Sequence, residues 1–268
     1  MSVTKRIDQA RKAYQKRDQN AAVAAHDPAR IAHAAGERHG GASDQYIGNM
    51  VYGGLDGIIT TFAVVSGVAG ANLGSNIVLI LGLANLLADG FSMAVGAYLS
   101  SKSEQEYYQR ERAREQWEVE HLPDGERAEL YQLYLSMGYS EEDARQLVEI
   151  KTKNTELWVE AMMIEELGMI KDERKPLISA VATMIAFVVA GSLPLLIYLL
   201  GLFFPIPPEA AFPISLALSG FALFGLGAAK VLVTERNPIR SGLEMLLVGG
   251  LAAGVAYLVG ALLKWIGS

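Results

Sequence analysis

The stretch YIGNMVYGGLDGIITTFAVVSGVAG, Tyr46–Gly70, carries a single charge, Asp56. A helix needs about 20 predominantly apolar residues to cross the hydrocarbon layer, and this run is long enough. Four more runs follow. Ile77–Ser100 carries only Asp89, Leu177–Phe204 and Ala210–Ala229 carry no charge, and Met245–Leu263 is the last. Ala-Asn-Leu-Gly-Ser-Asn separates the first two runs, and Pro205-Ile-Pro207-Pro208 closes the third. Pro176 stands where the third run begins, a position that tolerates proline.

The rest of the chain is polar and unevenly so. Hydrophobic residues make up 51% of the 268 and charged residues 19%, yet 19 of the 29 acids fall between Glu104 and Glu173. Soluble domains mix their charges throughout. The expected fold class is therefore all-α, a polytopic membrane protein with five transmembrane helices and a helical insert between helices 2 and 3. Its segments are a tail over 1–45, helices 1–2 over 46–100, the insert over 101–175 and helices 3–5 over 176–268.

Basic residues orient the spans. Residues 1–45 hold eight Lys and Arg, 101–176 hold eleven, and loop 234–241 holds Arg236 and Arg240. Five crossings put all three segments on one side, against Lys264 alone on the other, with Lys230 near a helix end uncounted. The tail and insert are expected to face the cytoplasm.

Several function classes are excluded. Without cysteine there is no disulfide, thiolate catalysis or thiolate metal site. A net charge of −6 leaves no basic patch for nucleic acid. Residues 1–46 are polar, so no secretory signal is expected there. The tail, with His26, His33, His39 and alternating charges, reads as a flexible or loosely helical arm, metal recruitment being a second reading.

The insert reads as four helices, Ser100–Glu120, Glu126–Met137, Glu141–Thr152 and Thr155–Leu167. The first continues out of the second span, and the third opens on a capping box at Ser140–Asp143. Glu104, Glu111, Glu115 and Glu118, at 100° per residue, fall within about 60° of one another on one stripe. Arg110, Arg112 and Arg114 interleave, so the stripe fits either a solvated charged face or a ligand set. On the last helix Glu156, Glu160 and Met163 share a face, beside Met162 and Glu166. Carboxylates suit hard divalent ions and added thioethers favour a later transition metal; methionine at these positions equally suits a core. Glu118-Val-Glu-His121 matches one Glu-x-x-His element of a di-iron bundle, but no second copy exists, and the chain is not expected to be an enzyme.

Ionisable residues inside a span cost about 2.5–3.5 kcal/mol on insertion scales and mark function by default. Asp56 lies among Gly53, Gly54 and Gly57, with Thr60 one turn on, and the glycines allow close helix approach. Asn85, Asp89 and Met93, four apart, form one polar, sulfur-ended face. Neither span contains Lys, Arg or His, and Lys230, the nearest basic residue, suits snorkelling better than pairing. The two aspartates therefore need protons or a cation.

Tyr52-Gly-Gly-Leu-Asp56-Gly-Ile-Ile-Thr60, Ala88-Asp-Gly-Phe-Ser-Met93, Leu157-Trp-Val-Glu160-Ala-Met162-Met163-Ile-Glu165-Glu166 and Asn237-Pro-Ile-Arg-Ser-Gly242 together resemble the vacuolar iron transporter family. The resemblance covers about residues 44–266 and leaves the tail outside. It implies a five-span homodimer in a vacuolar or cell membrane, with a cytoplasmic metal-binding domain, moving Fe²⁺ and in some members Mn²⁺ out of the cytoplasm in exchange for protons. It implies no prosthetic group; the metal is substrate. Asp56 and Met93 match its pathway residues, Glu104, Glu115 and Glu118 its first-helix glutamates, and Met162, Met163 and Glu166 the remaining ligands. Tyr107 and Ala97 stand where glutamates are expected, so Glu111 and Asp89 are candidate substitutes. The competing function is a membrane-anchored metal buffer or sensor, for which Asp56 and Asp89 would serve no purpose.

Overall fold

The computed structural model describes residues 5–29, 31, 42–229 and 237–267; Lys230, Arg236, His33 and His39 lie outside the described residues. Among the described residues there are helices and turns and no strand. The chain forms two compact units, Met1–Ala97 with Leu177–Ser268, and Tyr98–Pro176. In the tail, α1 (Lys5–Lys16) and α2 (Gln19–Ala25) are short helices, and the Asp18 side chain accepts from the Ala21 N–H to cap the second.

The apolar unit contains α3 (Ala42–Gly70), the first part of α4 (Ser75–His121), and four further helices. These are α8 (Pro176–Gly191), α9 (Leu196–Leu200), α10 (Pro208–Ala229) and α11 (Pro238–Gly267), numbered after the three helices of the polar unit below. Among the described residues four helices are long and apolar enough to cross a membrane: Tyr46–Gly70 within α3, Ser75–His121, Pro208–Ala229 and Pro238–Ile266. The outward faces are apolar. Phe91, Val189, Phe221, Leu251 and Leu258 are all exposed, an arrangement suited to lipid rather than water.

The third apolar run differs from the single helix that its composition suggests. It is a 16-residue helix, a turn over 192–195 and the five-residue α9. Pro194 is the physical reason, since its ring removes a backbone donor and clashes with the preceding turn. The hydrogen bonds through the break shorten to three-residue loops, Leu195 N–H to Ser192 O and Leu196 N–H to Leu193 O. The carbonyl that loses its i+4 donor, Ala190 O, accepts instead from the Leu193 N–H at 3.2 Å. The Pro194 carbonyl, within the turn, accepts from the Ser215 hydroxyl of α10 at 2.6 Å, so a neighbouring helix satisfies a polar group of the break, as an apolar environment requires.

Small residues set the helix spacing around Asp56. A Cβ on Gly53 would stand 2.7 Å from the Thr183 carbonyl oxygen, and one on Gly57 would collide with that of Phe187. These two glycines, four apart, form the small-xxx-small face of α3 against α8.

In the polar unit α4 runs on to His121. Then come α5 (Pro123–Ser136), α6 (Glu141–Lys151) and α7 (Thr155–Ala161), the last followed by a π-helical turn over Met162–Glu166. Ser140 caps α6: its Oγ accepts from the Asp143 N–H at 3.2 Å and donates to the Asp143 carboxylate at 2.6 Å. Asn154 caps α7 through the Leu157 N–H. Gly138 (φ 97°) and Gly168 (φ 64°) end the second and last helices in the left-handed region that glycine tolerates. The core joins Val119 of α4, Leu130 and Tyr134 of α5, Val148 of α6, and Trp158, Met162 and Met163. The non-helical return strand of chain is tied back by Arg174, which pairs with Asp172 at 2.9 Å and Glu104 at 3.3 Å.

Replacing Gly57 with leucine should force α3 off α8, costing at least the roughly 1–3 kcal/mol of core overpacking. Thermal melting of the detergent-solubilised chain should show a clear loss. Gly48→Ala, where a Cβ meets nothing within 4 Å, should melt like the wild type; equal melting for Gly57→Leu would mean the helices are not held at glycine spacing.

Candidate metal site

The carboxylate stripe of α4 is organised by one guanidinium. Arg114 donates from Nε to Glu111 at 3.1 Å, from Nη2 to Glu115 at 2.6 Å and from Nη1 to Glu118 at 2.6 Å. The Arg114 side chain is 46% exposed while that of Glu115 is 2% exposed, so the cation is at the surface and the anion beneath it.

Helix α5 faces this stripe with a further acid. Glu126 lies in its first turn, 4% exposed. One oxygen each from Glu115, Glu118 and Glu126 all lie within 4.8 Å of one another. Glu126 Oε2 is buried without a hydrogen-bond partner. One turn along, Glu129 lies close enough to Glu166 of the π turn for the two charges to interact.

Electrostatics follow this geometry. Burial pushes the Glu115 carboxyl up to about 7 against the pull of Arg114, and Glu166 and Glu118 push the same way. Burial also pushes Glu126 up to about 7, reinforced by Glu115 and Glu129. Glu166 is raised by burial and by Glu129. Glu111 moves the opposite way, lowered by hydrogen bonds from Arg110 and Arg114. Hard oxygen donors gathered out of water favour whatever cation can replace their protons.

The other sequence-derived candidates are dispersed. Glu104 pairs with Arg174 and is exposed, as is Glu160. Glu156 pairs with Arg112 at 2.6 Å. Met162 and Met163 are wholly buried in the core with Leu130 and Tyr134, the same helix that carries Glu126. Beside them Glu165 accepts from the Tyr134 hydroxyl at 2.8 Å. Within the apolar unit Asp56, Asn85, Asp89 and Met93 are half-buried, and Asp56 and Asp89 are near enough for their charges to interact. Met93 packs on the core around Phe187. The Thr60 hydroxyl donates to the Asp56 backbone carbonyl at 2.8 Å, so it serves its own helix.

Glu126 and Glu129 escaped the sequence reading. A signal existed: Glu126, Leu130 and Tyr134, spaced four apart, share the buried face of α5, and an acid on an apolar stripe is anomalous.

A family model described as the VIT family matches residues 47–261. The vacuolar iron transporter of Toxoplasma gondii is 39% identical over 97% of this chain and 89% of its own length. That of Plasmodium falciparum is 36% identical over 98% of each chain, and vacuolar iron transporter 1 of Arabidopsis thaliana is 36% identical over 82% and 87%. The first two matches extend across the tail, which the sequence resemblance had left outside.

The raised carboxyls predict a pH dependence. Glu115 and Glu126 titrate near 4.5 when unfolded and near 7 when folded. Between these values the folded state binds more protons, so their contribution to stability is complete below 4.5 and lost as pH rises through 7. With a chelator present, the full-length chain should melt at a lower temperature at about pH 8 than at about pH 5.5, and Glu126→Gln should flatten the difference. A profile flat in the wild type would contradict the burial of these carboxyls.

Proposed function

The chain belongs to the VIT family, and on that premise we propose that it carries Fe²⁺ out of the cytoplasm across a membrane in exchange for protons, Mn²⁺ being a second substrate. The observation that carries this reading is the pair Asp56 and Asp89, mutually interacting acids in an apolar unit whose helices α3 and α4 hold no basic residue before Lys102. A divalent ion, or protons, must balance them during passage. Such a pair alternates naturally between binding a metal outward and binding protons on the return.

On this reading the polar unit captures the ion from the cytoplasm at Glu115, Glu118 and Glu166 and raises its concentration near the entrance. No covalent chemistry is involved and the protein is a transporter rather than an enzyme. Helices α8 and α9 together make the fifth crossing: 16 residues at 1.5 Å each reach only about 24 Å, short of the roughly 30 Å hydrocarbon layer, and α9 supplies the rest. Five crossings put the tail and polar unit on the cytoplasmic side, in a vacuolar or cell membrane. The close approaches of α3 with α8 leave large apolar faces for lipid and for a second copy in a homodimer. A membrane-anchored buffer would need none of the intramembrane acids.

In proteoliposomes with an opposing pH gradient, Asp56→Asn should reduce Fe²⁺ flux close to background while insertion is unchanged; near-normal flux would move the pathway elsewhere. Met93→Leu keeps apolar volume and removes a thioether that favours Fe²⁺ over harder Mn²⁺. It should lower Fe²⁺ flux more than Mn²⁺ flux, and equal losses would make Met93 a packing residue only.

A further inference from the structure

We propose that the N-terminal helical hairpin, α1 with α2, docks on the anionic phospholipid headgroups of the membrane that the chain itself spans. The proposal goes beyond the transport reading and takes from it only the cytoplasmic placement of the tail, which sets the hairpin beside the leaflet that carries anionic lipid.

The charge of this segment is unlike that of the rest of the chain. Within residues 1–17 six cations, Lys5, Arg6, Arg11, Lys12, Lys16 and Arg17, stand against Asp8 alone, while the whole chain carries −6. Clusters of about four to eight cations on a helix beside a span are drawn to an anionic leaflet. The structure leaves these charges available. Arg11, Lys12, Lys16 and Arg17 are all exposed, and among the described residues none of the four has an acidic partner.

The hairpin has an inner side that is already occupied. The chain reverses at Arg17 (φ 54°), where the Asp18 N–H donates to the Ala13 carbonyl at 2.9 Å and the Asp18 side chain caps α2. The two helices pack together, with Ala13 and Ala25 buried. What remains outward is cationic and carries two large apolar groups, Tyr14 at 66% exposure and Val23 at 71%. The Arg17 guanidinium lies 4.6 Å from the centre of the Tyr14 ring. Such a pair suits an interface, where the ring enters the headgroup layer and the charge meets phosphate.

Charge alone admits a second occupant, the polar unit, in which acids far outnumber cations. Lipid is favoured on two grounds. An acidic protein surface would pair the lysines and leave Tyr14 and Val23 in water, whereas the headgroup layer takes both kinds of group. The hairpin is also tethered to the membrane. α2 ends at Ala25 and α3 begins at Ala42, so the leaflet is always within a linker's reach and docking is intramolecular in effect.

The test uses the full-length chain in lipid nanodiscs. The chain has no cysteine, so Ala24→Cys, at an exposed position of α2, provides a unique site for an environment-sensitive fluorophore. Its emission should shift to the blue in discs of equal phosphatidylcholine and phosphatidylserine and not in phosphatidylcholine alone, and raised salt should reverse the shift. Each cation at an anionic surface favours binding about fivefold, so Arg11→Gln, Lys12→Gln, Lys16→Gln and Arg17→Gln combined should abolish the shift. Tyr14→Ala should reduce it and keep its salt dependence. No shift in phosphatidylserine discs, or one that survives the combined replacement, overturns the proposal. An equal, salt-sensitive shift in both kinds of disc also overturns it, because the hairpin would then be seated on the acidic polar unit. The side of the membrane is read separately. In cells, a membrane-impermeant maleimide should label the Ala24→Cys chain only after permeabilisation; labelling of intact cells overturns the cytoplasmic placement, and this proposal with it.

Discussion

A carboxylate withdrawn from water must acquire a proton or a cation, and both units of this protein are arranged around that requirement. In the apolar unit they are Asp56 and Asp89, on stretches of α3 and α4 that hold no basic side chain before Lys102. In the polar unit they are Glu115 and Glu126, buried at the junction of α4 and α5. The solutions differ. The polar unit contains Arg114, which neutralises the outer part of its cluster, whereas Asp56 has the like charge of Asp89 in its field. Charge deficits of this kind cost free energy in the empty protein. They are tolerated where an ion is to be bound and then released.

Holding such groups in place within an apolar layer depends on backbone economy. Gly53 and Gly57 bring α3 against the carbonyl groups of α8, so Asp56 projects from a helix whose position is fixed by main-chain contact rather than by flexible side chains. The break at Pro194 belongs to the same logic. An unsatisfied carbonyl is intolerable in hydrocarbon, and the Ser215 hydroxyl accepts that burden by donating to it. Ser219 donates to the Ser215 carbonyl one turn back within α10, so its own hydroxyl is satisfied inside the helix.

Much of this was legible in the residues. Long uncharged runs could only be buried or lipid-facing helices, and the concentration of acids marked off the polar unit. The Ser140 cap, the glycine stops at Gly138 and Gly168 and the continuation of the second apolar helix into the polar unit follow from local chemistry, and each appears in the structure. The break in the third run was harder to read, because Pro194 sits in a stretch whose hydropathy alone favours one helix; its consequence depends on a hydroxyl 21 residues away. The π turn at Met162–Glu166 was not legible either, since a widened turn is set by the packing of consecutive buried methionines and not by a sequence period. Glu126 was overlooked for a related reason. Stripe analysis along one helix finds acids that align with one another, while Glu126 joins the cluster from a different helix across a turn.

That difference bears on the two readings of the α4 stripe. A helix face bearing four glutamates and interleaved arginines is in most proteins a ladder of solvated ion pairs, each worth little. Glu104 and Glu111 fit that description, being paired with Arg174 and with Arg110 and Arg114 respectively. Glu115 does not, although it lies on the same stripe, because it is buried and has Glu129 of α5 and Glu166 of the π turn in its field. Periodicity decides which side chains share a face; whether a face becomes a site depends on what packs over it. The methionines make the same point from the other direction. Met162 and Met163, four and three residues before Glu166, serve as core with Leu130 and Tyr134 of α5, so the elements that carry Glu126 and Glu166 are joined by apolar packing.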